Sequence, residues 1–208
     1  DLSSDGSIVA IGARWNDGNG SSSGHIRVYK NVNDTWIQMG QDIDGSVSGD
    51  EFGYGVALSS DGTILAGGAP HNDTTILNSG ETRVFQYNGS NWVQLGNSIY
   101  GEFEAEYTAP TVSLSSDGKT LAIGSEYNTG TGGSMSGIIR IYELNGSTWT
   151  LKGTPIDGEV SGERAGYPVR LSGDGNIVAI GAPYNNLESG HVRVYKFNDG
   201  SWQQIGND

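Results

Sequence analysis

The sequence predicts an all-β fold, a β-propeller-like array of four-stranded antiparallel blades with a repeat of about 56 residues, on three observations. First, Leu-Ser-Ser-Asp-Gly stands at Leu2–Gly6, Leu58–Gly62 and Leu114–Gly118, and Leu-Ser-Gly-Asp-Gly at Leu171–Gly175, at intervals of 56, 56 and 57 residues. Self-similarity at such a period marks a repeated supersecondary unit. Second, each copy carries an extended run centred on an arginine (Arg27, Arg83, Arg140, Arg193), and nine residues later a tryptophan (Trp36, Trp92, Trp149, Trp202). Third, the chain has 34 glycines, only 35% hydrophobic residues and no sustained helical period, which suits thin strands and many turns.

The second copy gives the elements in order. Tyr54–Ser59 and Ile64–Ala69 are predicted strands joined at Ser60-Asp61-Gly62, where Asp bonds its own backbone and Gly accepts positive φ. The Asp of each such turn (Asp5, Asp61, Asp117, Asp174) is read as a turn residue. The third strand, Glu81–Tyr87, has counterparts at His25–Tyr29, Ile138–Tyr142 and His191–Tyr195. The fourth, Trp92–Leu95, follows a tight turn at Asn88-Gly89-Ser90 and opens, like its counterparts, on a tryptophan read as packing. Small residues in each second strand (Gly12, Gly68, Gly124, Gly181) let a neighbouring sheet approach closely.

The units fall at about 1–41 (first strand missing), 42–97, 98–154 and 155–208, one repeat domain over 1–208. A missing strand leaves a blade edge open, and an open edge is a template for association. Expected partners are therefore other copies of the chain or further repeats of a longer chain. A formal charge of −13 repels phosphate backbones and excludes nucleic acid. No run approaches the ~18 apolar residues of a membrane span, so no membrane insertion is expected. The absence of cysteine excludes disulfides, thiolate–zinc sites and thiol nucleophiles.

The residues Phe52-Gly53-Tyr54-Gly55-Val56, followed by Gly68-Ala69-Pro70, resemble the FG-GAP repeat of integrin α-like propellers and of bacterial and algal surface proteins. Gly166-Tyr167-Pro168-Val169 with Gly181-Ala182-Pro183 is similar, with Ala165 in place of the Phe; Thr108-Ala109 with Gly124-Ser125-Glu126 matches weakly. Many members of that family carry a calcium loop of alternating Asp and Asn between the first two strands. Here that place holds one carboxylate per turn, too few for the six to eight oxygens calcium prefers, so no metal site is carried over and no cofactor is expected.

The candidate ligand surface is the loop after each second strand. Its leading position holds Trp15, His71, Tyr127 and Tyr184, each followed by an amide: Asn16, Asn72, Asn128 and Asn185. Nearby connections carry Asp44, Asp50, Glu51, Glu102, Glu104, Glu106, Asp157, Glu159 and Glu163. Rings that stack and groups that take hydroxyls suit glycan recognition, and the carboxylates are open to calcium. The alternative is that rings cap blade contacts and amides shape turns. Asn19, Asn33, Asn72, Asn88 and Asn145 stand in Asn-X-Ser/Thr patterns, candidates for glycosylation. His25, His71 and His191 form no nucleophile–base or metal-spaced set, and paired acid/base residues require one unit to differ from the others. With no catalytic constellation evident, and on the resemblance, the expected role is non-enzymatic: an acidic extracellular or cell-surface module for adhesion or for assembly of a filament or matrix. A lectin-like propeller is the alternative, and a propeller glycosidase or lyase the second.

Overall fold

The structure, a computed structural model, describes residues 1–185 and 189–207. Among the described residues, every strand lies in one of four antiparallel sheets, one per repeat. The first blade holds β1 (Ile8–Ala13), β2 (His25–Val32) and β3 (Thr35–Gln38), with the two-residue β4 (Ile43–Asp44) pairing onto β2. That pairing carries the first sheet past residue 41, the expected unit border. The second blade runs β5 (Val56–Leu58), β6 (Ile64–Ala69), β7 (Glu81–Tyr87) and β8 (Trp92–Gln94), with β9 (Ile99–Tyr100) on β7. The third runs β10 (Thr111–Leu114), β11 (Thr120–Ser125), β12 (Ile138–Asn145) and β13 (Thr148–Leu151), with β14 (Ile156–Asp157) on β12. The fourth is β15 (Val169–Leu171), β16 (Ile177–Ala182), β17 (His191–Asn198) and β18 (Ser201–Gln204). In place of a first strand, the first blade has a single bridge between Leu2 and Val9.

The turn chemistry explains the regularity. Asp61 accepts from the Ser59 hydroxyl (2.7 Å) and from the Thr63 amide (3.0 Å), while Ser59 Oγ accepts the Ile64 amide (2.9 Å). The same arrangement surrounds Asp5, Asp117 and Asp174, so these carboxylates are turn residues.

Blades pack face to face through three apolar cores. Ile8, Ala10, Ile26 and Val28 of the first meet Phe52, Leu58, Leu65 and Phe85 of the second. Ile64, Ala66 and Val84 then meet Val112, Leu121, Ile123 and Tyr142, and Ala122, Ile139 and Ile141 meet Val169, Val178 and Ile180. Two devices set the spacing. A Cβ on Gly68 would stand 2.1 Å from the Ala109 carbonyl oxygen, and one on Gly124 2.1 Å from that of Gly166. The backbone of the next blade occupies the side-chain space those glycines leave. Each inner tryptophan also reaches back: the indole N–H of Trp92 donates to Met39 O (2.6 Å), Trp149 to Leu95 O (2.9 Å) and Trp202 to Lys152 O (2.7 Å). The first strands of adjacent blades lie against one another and so line the centre of the array.

Candidate functional site

Where the first strands begin and the second strands end, side chains from three blades line an open cavity of about 380 Å³. Its walls are Arg14, Trp15, Glu51, Tyr54, Pro70, His71, Tyr107, Pro110, Glu126 and Tyr127. Two loop types supply them. The loops after β1, β6 and β11 bring Arg14-Trp15, Pro70-His71 and Glu126-Tyr127. The connections between blades bring Glu51, Tyr107 and, beside the cavity, Arg164.

The connections are built to project those three residues. A carboxylate one position earlier folds back on its own turn: Asp50 accepts the Ser46 and Val47 amides, Glu106 those of Glu102 and Phe103, and Glu163 that of Glu159. The residue that follows is left-handed in every case, with φ of 54° at Glu51, 48° at Tyr107 and 55° at Arg164. None is glycine, so each carries backbone strain of about 1–3 kcal/mol, a cost that clusters at functional sites.

Charge and rings alternate along the wall. The Arg14 guanidinium lies 4.3 Å from the ring centres of both Trp15 and Tyr54, with its Nη1 3.7 Å from Glu51. His71 Nε2 stands 3.9 Å from the other Glu51 oxygen, and its ring meets Tyr107 edge-on. Tyr107 meets Tyr127 in the same way, and Arg164 stands between Tyr127 and Tyr184 at 4.8 and 4.7 Å. Arg164 Nη1 is 3.9 Å from Glu126 Oε2. Burial pushes the Glu126 carboxyl above its ordinary range, and the Arg164 charge opposes this only in part. Burial likewise raises the Tyr127 phenol.

Of the sequence-predicted candidates, the structure brings Trp15, His71 and Tyr127 to the cavity wall and Tyr184 to its flank. It turns the amides away from it. Asn16 Oδ1 accepts the Gly18 amide and Asn72 Oδ1 that of Thr74, while Asn185 donates to Glu163. Asn128 closes its loop through its backbone, bonded to Ser125 and Gly137. These four are turn formers. Among the glycosylation candidates Asn19, Asn33, Asn88 and Asn145 are exposed, whereas Asn72 is sealed in the interior and corrects that expectation, because a glycan could not reach its Nδ2. Sequence reasoning missed Arg14, Tyr54, Tyr107, Glu126 and Arg164 as site residues. For all but Tyr54, which recurs as Tyr167, the signal was divergence: Arg14, Pro70, Glu126 and Pro183 occupy one position of the repeat, and Glu51, Tyr107 and Arg164 another. Among the described residues, no group of three or more His, Asp or Glu side chains is placed to share a metal ion. No described helix is long and apolar enough to cross a membrane.

No family model matches the chain, and neither does any curated protein. Solved structures do. A proposed 6-phosphogluconolactonase of Bacteroides uniformis superposes with a TM-score of 0.65 at 16% identity, over 98% of this chain and 52% of that one. The periplasmic gluconolactonase of Pseudomonas aeruginosa gives 0.60 at 16%, over 99% and 52%. The β-propeller domain of the trilobed protease of Pyrococcus furiosus gives 0.52 at 11%, over 97% and 54%. The fold is a β-propeller. The chain spans about half the length of these structures. They also correct the expectation of a non-enzymatic adhesion or assembly module: two of the propellers this chain superposes on are named as lactonases, and the cavity gathers carboxylate, imidazole and guanidinium side chains that differ from one repeat to the next.

Proposed function

We propose that the cavity is the substrate site of a hydrolase acting on a small hydroxyl-rich lactone that carries an anionic group, of the sugar-acid class. The observation that carries the reading is the meeting of Arg14, Glu51, His71, Glu126 and Arg164 among aromatic rings, at positions where the repeats depart from one another. Repetition conserves scaffold; a reaction needs different groups on different sides of one substrate.

The chemistry follows from the chain's own residues. Ring faces of Trp15, Tyr54 and Tyr127 take the apolar face of a sugar ring, and the guanidinium groups take its anionic group. His71, oriented by Glu51, accepts a proton from a water that attacks the lactone carbonyl carbon. The ring C–O bond breaks as the tetrahedral intermediate collapses, and the alkoxide leaving group takes a proton from Glu126, whose raised pKa suits that donor. Arg14 stabilises the negative oxygen of the intermediate. The two lactonase propellers support the substrate class, and the periplasmic one supports a location outside the cytoplasm.

Gluconolactone and 6-phosphogluconolactone, followed by acid release above the spontaneous rate, test the reading. The expected result is catalysed opening that His71→Ala and Glu51→Gln each lower by about 10²–10⁴-fold, the usual worth of a general base. Acid release no faster than buffer for both lactones overturns it.

A further inference from the structure

Three buried glutamates stand near the cavity, and one of them has its hydrogen-bonding capacity unused. Glu106 accepts the amides of Glu102 and Phe103 and the Arg140 guanidinium. Glu163 accepts the Glu159 amide, the Asn185 side chain and Arg193. Glu126 is set nearly as deep, at 5% exposure, yet among the described residues no donor bonds to either of its oxygens. Arg164 Nη1 stands 3.9 Å away, beyond hydrogen-bond distance. A buried carboxylate without donors is costly, and this one opens into the cavity.

Arg164 is in the same condition. Its guanidinium lies between Tyr127 and Tyr184 on a left-handed residue, and among the described residues none of its side-chain N–H groups has a hydrogen-bond acceptor. Rings stabilise the cation without using its donors, which remain for a carboxylate or a phosphate. The first blade carries the same two charges in the opposite order, Arg14 on the loop and Glu51 on the connection. There the carboxylate side chain is 21% exposed, against 7% for Glu126. Only in the later pair is the acid the sealed partner and the cation the open one.

We infer that Arg164 is the residue through which the site selects an anionic substrate, and that the same contact switches Glu126 on as the proton donor. The substrate's anionic group draws the Arg164 guanidinium off Glu126. The carboxylate, left buried with a second negative charge beside it, takes a proton from solvent, and that proton passes to the leaving alkoxide. A neutral lactone leaves Arg164 with Glu126 and the donor ionised, so selection acts on turnover as well as on binding. The donor role rests on the lactone-opening reading; the linkage between anion and proton does not. Burial raises the Glu126 carboxyl, and the Arg164 charge is what opposes it. The other titratable groups that face Glu126 are Tyr127 on its own loop and, along the rest of the wall, Arg14, Glu51, Tyr54, His71 and Tyr107.

Carbon-13 NMR of the carboxyl groups tests the linkage without any turnover, with the Glu126→Gln chain identifying the signal. The probes are glucose 6-phosphate and glucuronate, which carry a phosphate or a carboxylate and no lactone bond, with glucose as the neutral control. At least one of the two anions should move the Glu126 midpoint to higher pH, and glucose should leave it in place. In Arg164→Gln the midpoint should lie above that of the parent without any ligand, and affinity for the anion should fall about tenfold or more. Arg164→Lys keeps the charge and should bring the midpoint down again. No binding of either anion, an anion-bound chain with its midpoint unmoved, or an Arg164→Gln chain with the parent's midpoint overturns the inference. Lactone opening is read separately. A linked midpoint without turnover removes the hydrolase and leaves the linkage, whereas turnover with a fixed midpoint removes the linkage and leaves the hydrolase.

Discussion

The first and third blades share a sequence pattern but not an environment. Leu121, Ile123, Tyr142 and Trp149 of the third blade lie in a sealed core, and Arg140 is buried among Glu106 and Glu102. The equivalent side of the first blade faces solvent, and its arginine, Arg27, pairs with Asp42 of its own sheet at a half-exposed position. The blade is thus specified locally by its turns and alternation, whereas its stability is supplied by the neighbours on either side. That is the behaviour of a one-dimensional array, in which interface terms dominate and end units are the weakest.

The largest expected effect comes from the tryptophans. Trp149→Ala removes a buried ring and its bond to Leu95, and should cost about 3–5 kcal/mol. Trp36→Ala, at a position 46% exposed, should cost under about 1 kcal/mol, as surface changes do. Urea melts that give equal losses would break the comparison. The arginine partners come next. Glu106→Gln leaves Arg140 buried with only the exposed Glu102 to neutralise it, an expected loss of about 3 kcal/mol. Asp42→Asn in the first blade should cost about 0–1 kcal/mol, the range of exposed pairs.

A third contrast concerns two glycines at one position of the repeat. An alanine at Gly118 would place its Cβ 2.6 Å from Ile64 Cβ, while one at Gly6 meets nothing within 4 Å. Both have a left-handed φ, 68° at Gly118 and 69° at Gly6. Gly6→Ala therefore carries only the conformational strain, about 1–2 kcal/mol. Gly118→Ala adds overpacking of about 1–3 kcal/mol.

What could be read in the sequence follows the same division. Turn chemistry is local, so the Asp5, Asp61, Asp117 and Asp174 turns, the sheet order and the tryptophan packing were legible from the repeats. The two-residue strands Ile43–Asp44, Ile99–Tyr100 and Ile156–Asp157 were not, since two residues carry no period and only the third strand beside them makes them strands. At the site, the rings of Trp15, His71 and Tyr127 could be found because they recur. Arg14, Glu126 and Arg164 could not, because a search for what repeats passes over what differs. Asn72 shows the other limit: its acceptor pattern is a local string, and its burial is a property of the loop that closes over it.

Scaffold and site should also respond to acid in opposite directions, the smallest of the expected effects. The Ser7 amide, with the hydroxyls of Ser3 and Ser7, holds Asp5 at about 2, below its ordinary 3.8. Asp174 is lowered in the same way, chiefly by Ser172. At Asp61 and Asp117 burial pulls upward, but the bonds from Ser59 and Thr63, and from Ser115 and Lys119, outweigh it. A carboxyl lowered on folding contributes stability above its unfolded value and loses it as the pH falls through the folded one. The turns should therefore weaken between about pH 4 and pH 2, and Asp5→Asn should flatten that limb of the stability curve. Glu126 is raised by burial, so its sign is reversed: its neutral form favours the fold, and stability falls as the pH rises through its folded value. Glu126→Gln should stabilise the chain at pH 7 and slow lactone opening together. A Glu126→Gln chain less stable at pH 7 than its parent would place that carboxylate with the scaffold, beside the turn aspartates, and remove it from the chemistry.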